Sequence, residues 1–163
     1  MKITIPFRSE DRDALLSFQM EADALMAQVR TASEQMEDIE ERLSTLKTAI
    51  QRSPGVPLTA LAEARDLELQ AAELRIVLTG DASVARRQFE TPPSISDRVG
   101  GVLYSSFNAT SAPTGQQREQ LRIAEEDLAE LRPQIQSLQE EVAALENRIR
   151  ELGGLLPPGG GSQ

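Results

Sequence analysis

Carboxylates are the side chains of this 163-residue sequence that are most numerous and most able to do chemistry. Two clusters of them stand out: Glu37, Asp38, Glu40 and Glu41, and then Glu125, Glu126, Asp127 and Glu130. Facing carboxylates in a helical bundle can hold a di-metal centre, but that centre also takes histidine from two of the helices. The chain has no histidine. We therefore interpret both clusters as solvated helix faces, with i,i+4 pairs such as Asp38 with Arg42 and Glu146 with Arg150, and expect neither a metal nor a cofactor.

Serine is the other residue type that could act chemically, and it lacks a base. Ser94, Ser96, Ser105, Ser106 and Ser111 lie in one stretch. A nucleophilic serine needs a base within hydrogen-bond reach. The chain has no histidine, and its two lysines are distant in the sequence. We expect these serines to form caps and turns, and we expect no catalytic residue and no enzyme.

The charge of the chain disfavours two classes of partner. There are 26 acidic residues against 17 basic ones, a net charge of -9. This field repels phosphate, so neither nucleic acid nor an anionic membrane surface is an expected partner. No run approaches the roughly 20 apolar residues that cross a bilayer, so we expect no membrane insertion. The first seven residues hold too few apolar positions for a signal peptide.

Two long ladders of apolar residues step by three and four positions, the spacing of a coiled-coil seam. The first is Leu15, Phe18, Ala22, Leu25, Val29, Ala32, Met36, Ile39, Leu43, Leu46 and Ile50. The second is Leu121, Ala124, Leu128, Leu131, Ile135, Leu138, Val142, Leu145, Ile149 and Leu152. The first ladder predicts a helix from Ser9 to about Gln51, with Ser9 as its cap.

The second ladder predicts a helix with recognisable ends. Thr114 and Gln117 have the spacing of a capping box at its start, and Gly153 and Gly154 end it. Pro133 lies inside it, has no N–H to donate, and should kink the helix.

A third, shorter helix is predicted between the ladders, over Leu58–Leu78, after a turn at 53–57. The stretch 81–115 reads as an irregular cap with a short helix near Ser96–Ser106. The predicted fold is all-α: an elongated antiparallel helical bundle, or coiled-coil hairpin of the two long helices, with the shorter third helix and this cap. We divide the chain into an extended N-terminal stub (1–8), a helical bundle domain (9–154) and a disordered Pro/Gly-rich tail (155–163).

Bases and aromatic rings mix in the predicted cap, at Arg86, Arg87, Phe89, Arg98, Tyr104 and Phe107. The favoured interpretation is that the three rings plug the open end of the bundle while the arginines cap helices or pair locally. The alternative is a small interaction surface with arginine and aromatic anchors.

The run from Thr91 to Gly100, Thr-Pro-Pro-Ser-Ile-Ser-Asp-Arg-Val-Gly, is followed by Thr-Ser-Ala-Pro-Thr at 110–114 and by Gln117 and Arg118. With these motifs the chain resembles the helical C-terminal region of bacterial proteins built on sortilin-like, sialidase-type BNR-repeat β-propellers, often labelled glycosyl hydrolases. The resemblance covers most of the chain but includes no propeller. It therefore implies an accessory helical domain, with no hydrolase residue carried over. It also implies an exported parent protein, and an extracytoplasmic location if this chain is a fragment of one.

The expected function is a non-catalytic structural or interaction module, which packs against a propeller of the same parent protein or associates with itself. The alternative is a free-standing acidic coiled-coil adaptor or secretion chaperone that holds a partner helix in a groove. A remote alternative is a part of a glycan hydrolase. That activity would need a carboxylate pair in a concave pocket, which a slender bundle does not offer.

Overall fold

The computed structural model describes residues 9–81 and 92–157. These residues form four α-helices: α1 Ser9–Arg52, α2 Leu58–Thr79, α3 Ile95–Phe107 and α4 Gly115–Glu151. Helix accounts for 83% of the described residues, and none of them lies in a strand. The predicted all-α helical bundle is therefore confirmed, with helix ends within two residues of those expected. Three predicted parts of the chain lie outside the described residues: the stub (1–8), positions 82–91 of the cap and positions 158–163 of the tail.

Both apolar ladders form the buried faces of their helices. Every ladder residue of α1, from Leu15 to Ile50, is buried. The same holds in α4 from Leu121 to Ile149, whereas Leu152, just past the end of the helix, is exposed. Burial of these stripes removes apolar area from water and supplies most of the stabilisation of such helices.

The ends of α4 form as the sequence predicts. At its start the hydroxyl of Thr114 accepts a hydrogen bond from the Gln117 backbone, and the Gln117 side chain accepts one from the Thr114 backbone. At its end Gly153 has a φ of 79°, and the Gly154 N–H donates to the carbonyl oxygen of Ile149 at 2.8 Å. This pairing satisfies carbonyls that the last helical turn leaves free. Pro133 does not divide α4, since the buried ladder continues on both sides of it; the predicted kink stays a prediction.

The helices are distributed over two compact units. The first unit holds the described residues of Met1–Thr31 and Val77–Glu130, which include the start of α1, all of α3 and the start of α4. The second holds the described residues of Ala32–Ile76 and Leu131–Gln163, with the rest of α1, most of α2 and the rest of α4.

In the second unit, α1 and α2 form an antiparallel pair. Lys47 near the end of α1 contacts Glu68 of α2, while Glu40, two turns earlier, contacts Arg75 further along α2. The short turn at 53–57 produces this reversal, as expected for two neighbouring helices joined by a few residues.

In the same unit, α1 and α4 run parallel. Arg42 of α1 contacts Glu146 of α4. The residues that follow the two helices also meet, since the Leu155 N–H donates to the Ser53 hydroxyl. The predicted hairpin of the two long helices is thus corrected: the hairpin partner of α1 is α2. The physical reason is that a heptad seam packs in either direction, so the short turn at 53–57 makes α2 the antiparallel neighbour while α4 packs beside α1 in the parallel direction.

Candidate interaction surface

Three of the six residues predicted to form an interaction surface lie on α3, in the first unit: Arg98, Tyr104 and Phe107. The other three, Arg86, Arg87 and Phe89, lie outside the described residues. The described part of the candidate surface is therefore α3 and the helices beside it.

A full capping box fixes the start of α3. The buried hydroxyl of Ser94 accepts a hydrogen bond from the Asp97 backbone N–H, and the Asp97 carboxylate accepts one from the backbone N–H of Ser94. These bonds satisfy amide groups that the first turn of a helix leaves free. Gly80, whose φ of 84° suits glycine, lies against Ser94. The Pro-Pro-Ser run at 92–94 therefore ends in a hydrogen-bonded entry to α3.

The two faces of α3 differ sharply in chemistry. Its buried face is made of Ile95, Val99, Val102 and Ser106, which repeat every three or four residues. Tyr104 lies on the opposite side of the helix and is 79% exposed, and Phe107 is 83% exposed. The prediction that these rings plug the end of the bundle is wrong, because the aliphatic row already fills the contact. Both aromatic rings face solvent.

Two further exposed apolar side chains lie on the part of α1 beside the end of α3. The Gln19 side chain donates to the carbonyl oxygen of Ser106 at 2.9 Å, which fixes the end of α3 beside this part of α1. Leu16 and Met20 flank Gln19 on the side away from the ladder, and both are exposed. We call the group of Leu16, Met20, Tyr104 and Phe107 the α3 surface. A cluster of exposed large apolar side chains is typical of a protein-binding site.

A groove of about 460 Å³ lies between α3 and the start of α4. Most of the residues that line it have polar side chains, although more of its surface is apolar than polar: Pro93, Asp97, Arg98, Gly101, Val102, Ser105, Thr114, Gln116, Gln117 and Gln120. The Gln117 amide donates to the Ser105 hydroxyl at 2.9 Å and so ties one wall to the other.

Arg98 supplies the cationic group of the groove. One terminal nitrogen donates to the Gln120 amide oxygen at 2.5 Å. Its Nε is buried and, among the described residues, has no hydrogen-bond acceptor. Leaving a buried donor unpaired costs free energy, so Arg98 is the residue of the groove whose hydrogen-bonding capacity is incompletely used.

Three members of the predicted acidic clusters form ion pairs: Asp38 with Arg42, Glu40 with Arg75 and Glu126 with Arg122. Arg42 makes two hydrogen bonds of 2.8 Å to the carboxylate of Glu146 and a longer one of 3.5 Å to Asp38. The expected pair of Glu146 with Arg150 does not form; Arg150 donates to Asn147 instead. Bidentate pairing across the helices, in a partly buried place, outcompetes an exposed pair along one helix. Within the described ranges, no group of three or more acidic side chains is placed to hold a metal ion.

Ion pairing shifts the pKa values of Arg42 and of Glu119, the second through its contact with Arg122. The hydrogen bonds that Arg42 donates to the Glu146 carboxylate, opposed in part by burial, raise the pKa of Arg42 above its usual value. On the exposed side of α4, the hydrogen bond from Arg122 lowers the pKa of Glu119. Both effects keep the pairs ionised around neutral pH.

Neither a protein-family model, nor a curated protein, nor a solved structure matches this chain. The fold defines an all-α helical bundle, and the resemblance to propeller-associated helical regions stays a prediction. In the part of the chain that the structure describes, no helix combines the length and the apolar character needed to cross a membrane.

Proposed function

We propose that this chain is a non-catalytic interaction module that binds another protein through the α3 surface. The observation that carries the proposal is the exposure of Tyr104 and Phe107 on a firmly capped helix. Aromatic side chains are enriched at protein interfaces because they bring a large contact area at low cost in conformational entropy.

The partner we propose is a BNR-repeat β-propeller of the same parent protein. The support for it is the resemblance of the run from Thr91 to Gly100, whose described part forms the entry to α3. In this proposal the motif holds α3 in place, and the α3 surface meets the propeller. This proposal places the chain outside the cytoplasm, together with its exported parent protein.

Isothermal titration calorimetry tests this proposal. The purified chain is titrated with a propeller domain from a bacterial BNR-repeat protein whose own C-terminal region carries the same Pro-Pro-Ser-Ile-Ser-Asp-Arg motif. We expect binding that weakens at least about tenfold in the double variant Tyr104→Ala/Phe107→Ala, since each anchor contributes about 1 kcal/mol or more. The matched control is Leu58→Ala/Leu69→Ala, which removes two exposed apolar side chains of α2.

Equal weakening by both double variants would contradict a role of the α3 surface, and absence of binding would contradict the propeller as partner. Circular dichroism of all variants establishes that they remain folded. Because Tyr104 and Phe107 are exposed, we expect unchanged spectra.

A free-standing adaptor is the second candidate, and the groove beside Arg98 is the observation that favours it. Such an adaptor would hold an extended client segment by hydrogen bonds to the groove. Gly101→Leu is the test, because a Cβ at Gly101 meets no atom within 4 Å and the longer side chain would occupy the groove. If a client segment still binds to Gly101→Leu, the adaptor mechanism is rejected. If Gly101→Leu instead loses propeller binding, the groove takes part in binding the propeller.

A further inference from the structure

The exposed apolar residues near the start of α1 share one stripe with two carboxylates. Asp13, Leu16, Met20 and Asp23 are spaced three, four and three residues apart, which places them on one face of the helix. All four are exposed, and they lie on the side away from the buried ladder. An aspartate therefore lies at each end of the apolar pair.

Contacts between α1 and α3 place this stripe beside the aromatic rings. Gln19 donates to the carbonyl oxygen of Ser106 at 2.9 Å, and Gly100, earlier in α3, lies against Met26, later in α1. Since residue numbers fall along α1 as they rise along α3, the two helices run antiparallel. Phe107, next to Ser106, is therefore level with the part of α1 around Gln19, to which the stripe belongs.

The two carboxylates of the stripe are not used within the described part of the chain. Neither Asp13 nor Asp23 makes an ion pair with a described residue. The part of α1 in the first unit, 9–31, carries five acidic residues against two basic ones, Arg12 and Arg30. This part of the helix is therefore negatively charged.

The other cations among the described residues of the first unit are already engaged. Arg122 forms two ion pairs along α4, and Arg98 donates to an amide oxygen of α4. Arg118 lies over the ring of Phe18, 5.7 Å from its centre. The negative charge of the stripe is therefore available to a partner.

We propose that the partner meets the α3 surface with lysine and arginine side chains around an apolar patch. The patch covers Leu16, Met20 and the two rings, and the cations pair with Asp13 and Asp23. Opposite charges at the rim of an apolar contact select the right partner and speed its association. This inference rests on the proposed function, because it takes the α3 surface as the binding site.

Charge disfavours two other occupants of this surface. A two-fold contact with a second copy would place aspartate against aspartate in either direction, since the stripe has one at each end. The second copy also carries the same net charge of -9. Anionic lipid headgroups meet the same repulsion. A basic protein face is the occupant that matches both the rings and the carboxylates.

Tyr104 provides a readout that belongs to this surface. It is the single tyrosine of the chain, which has no tryptophan, so the intrinsic fluorescence of the chain comes from the α3 surface. The probes are two synthetic helix-forming peptides of about 18 residues, or about five turns, without tyrosine or tryptophan. Both have leucine on one face, and the other face has lysine in one peptide and glutamate in the other. We expect the lysine peptide to change the Tyr104 emission saturably and the glutamate peptide to leave it unchanged.

Neutralising substitutions test the two aspartates. Asp13→Asn/Asp23→Asn should weaken binding of the lysine peptide about three- to tenfold, as expected for the loss of two exposed ion pairs. The matched control is Asp66→Asn/Glu73→Gln, which removes two exposed carboxylates of α2 in the second unit and should leave binding unchanged. Added salt should reduce the difference between the unmodified chain and Asp13→Asn/Asp23→Asn, because it screens exposed pairs.

Four results would overturn the proposal. They are a Tyr104 emission that does not respond to the lysine peptide, equal binding of the two peptides, and equal weakening by the two double variants. The fourth is an emission that changes with the concentration of the chain alone, which would indicate a second copy as the occupant.

Failure of the proposed function gives a different pattern. If the lysine peptide binds as expected and the propeller does not, the propeller is the wrong partner and the basic face is supported. If propeller binding weakens in Tyr104→Ala/Phe107→Ala but not in Asp13→Asn/Asp23→Asn, the α3 surface is supported and the basic face is wrong.

Discussion

Leu138, in the middle of the α4 ladder, is the residue at which burial of the ladder is best tested. It is only 1% exposed. Removing such a side chain costs about 2–5 kcal/mol once the cavity is included. A carboxylate in its place adds an unpaired charge in an apolar surrounding. We expect Leu138→Asp to lower the free energy of unfolding by about 4–6 kcal/mol, a large part of the about 5–15 kcal/mol of a typical domain.

Urea unfolding followed by far-ultraviolet circular dichroism measures this loss. Gln136→Asp is the matched control, because it introduces the same side chain on the exposed side of the same helix. We expect the control to lose no more than about 0.5–1 kcal/mol, as for ordinary surface substitutions. Equal midpoints for the two variants would refute the assignment of Leu138 to a buried seam.

The pH dependence of the same variant gives a second readout. Burial raises the pKa of the new carboxyl above the about 3.9 of an exposed aspartate. The native state then binds more protons than the unfolded state, so the free energy of unfolding of the variant falls as pH rises through this range. The difference in free energy of unfolding between Leu138→Asp and Gln136→Asp should therefore become smaller on acidification from neutral pH. A difference that does not depend on pH would mean that the carboxylate reaches water.

Charged contacts and caps give three further expectations. Arg42→Gln lowers the free energy of unfolding by about 1 kcal/mol in urea titrations, because it leaves the mostly buried Glu146 carboxylate unpaired while solvent screens part of the pair. Arg122→Gln removes only exposed pairs; it leaves the urea midpoint nearly unchanged and raises the pKa of Glu119 in an NMR titration. The stabilisation from Glu119 is present above the ordinary glutamate pKa and lost as pH falls through its lowered value. Ser94→Ala removes the capping box of α3, costs about 1 kcal/mol and speeds amide exchange in the first turn. A larger shift of the urea midpoint for Arg122→Gln than for Arg42→Gln would contradict the argument on the ion pairs. An unchanged pKa of Glu119 in Arg122→Gln would contradict the argument on its pKa, and unchanged amide exchange in Ser94→Ala would contradict the argument on the cap.

The helices were predictable from the sequence because the spacing of apolar residues decides which face of a helix is buried. The ladder from Leu15 to Ile50 is wholly buried in the structure, and the caps at Thr114 and Gly153 form from the residues that predicted them. The direction of α4 was not predictable in this way. A heptad ladder looks the same in a parallel and in an antiparallel pair, so its spacing does not decide the direction; the contacts of Arg42 with Glu146 and of Ser53 with Leu155 do.

The location of the aromatic rings was predicted wrongly for a physical reason that is visible in the sequence. Tyr104 and Phe107 were expected to plug the open end of the bundle. The three-and-four spacing of Ile95, Val99 and Val102 shows instead that aliphatic side chains supply the buried face of α3, and it places Tyr104 on the opposite side. The cross-helix pair of Arg42 with Glu146 was missed because sequence spacing reveals only pairs along one helix.

Helix α2 shows why a ladder alone does not identify a core. The row around Leu67 is buried and the row around Leu69 is exposed, although both have the same spacing and lie on opposite sides of one helix. Periodicity therefore cannot rank the two rows; only the observed exposure does. The same holds for α3, where exposure rather than spacing shows that Tyr104 and Phe107 are available for insertion into the pockets of a partner.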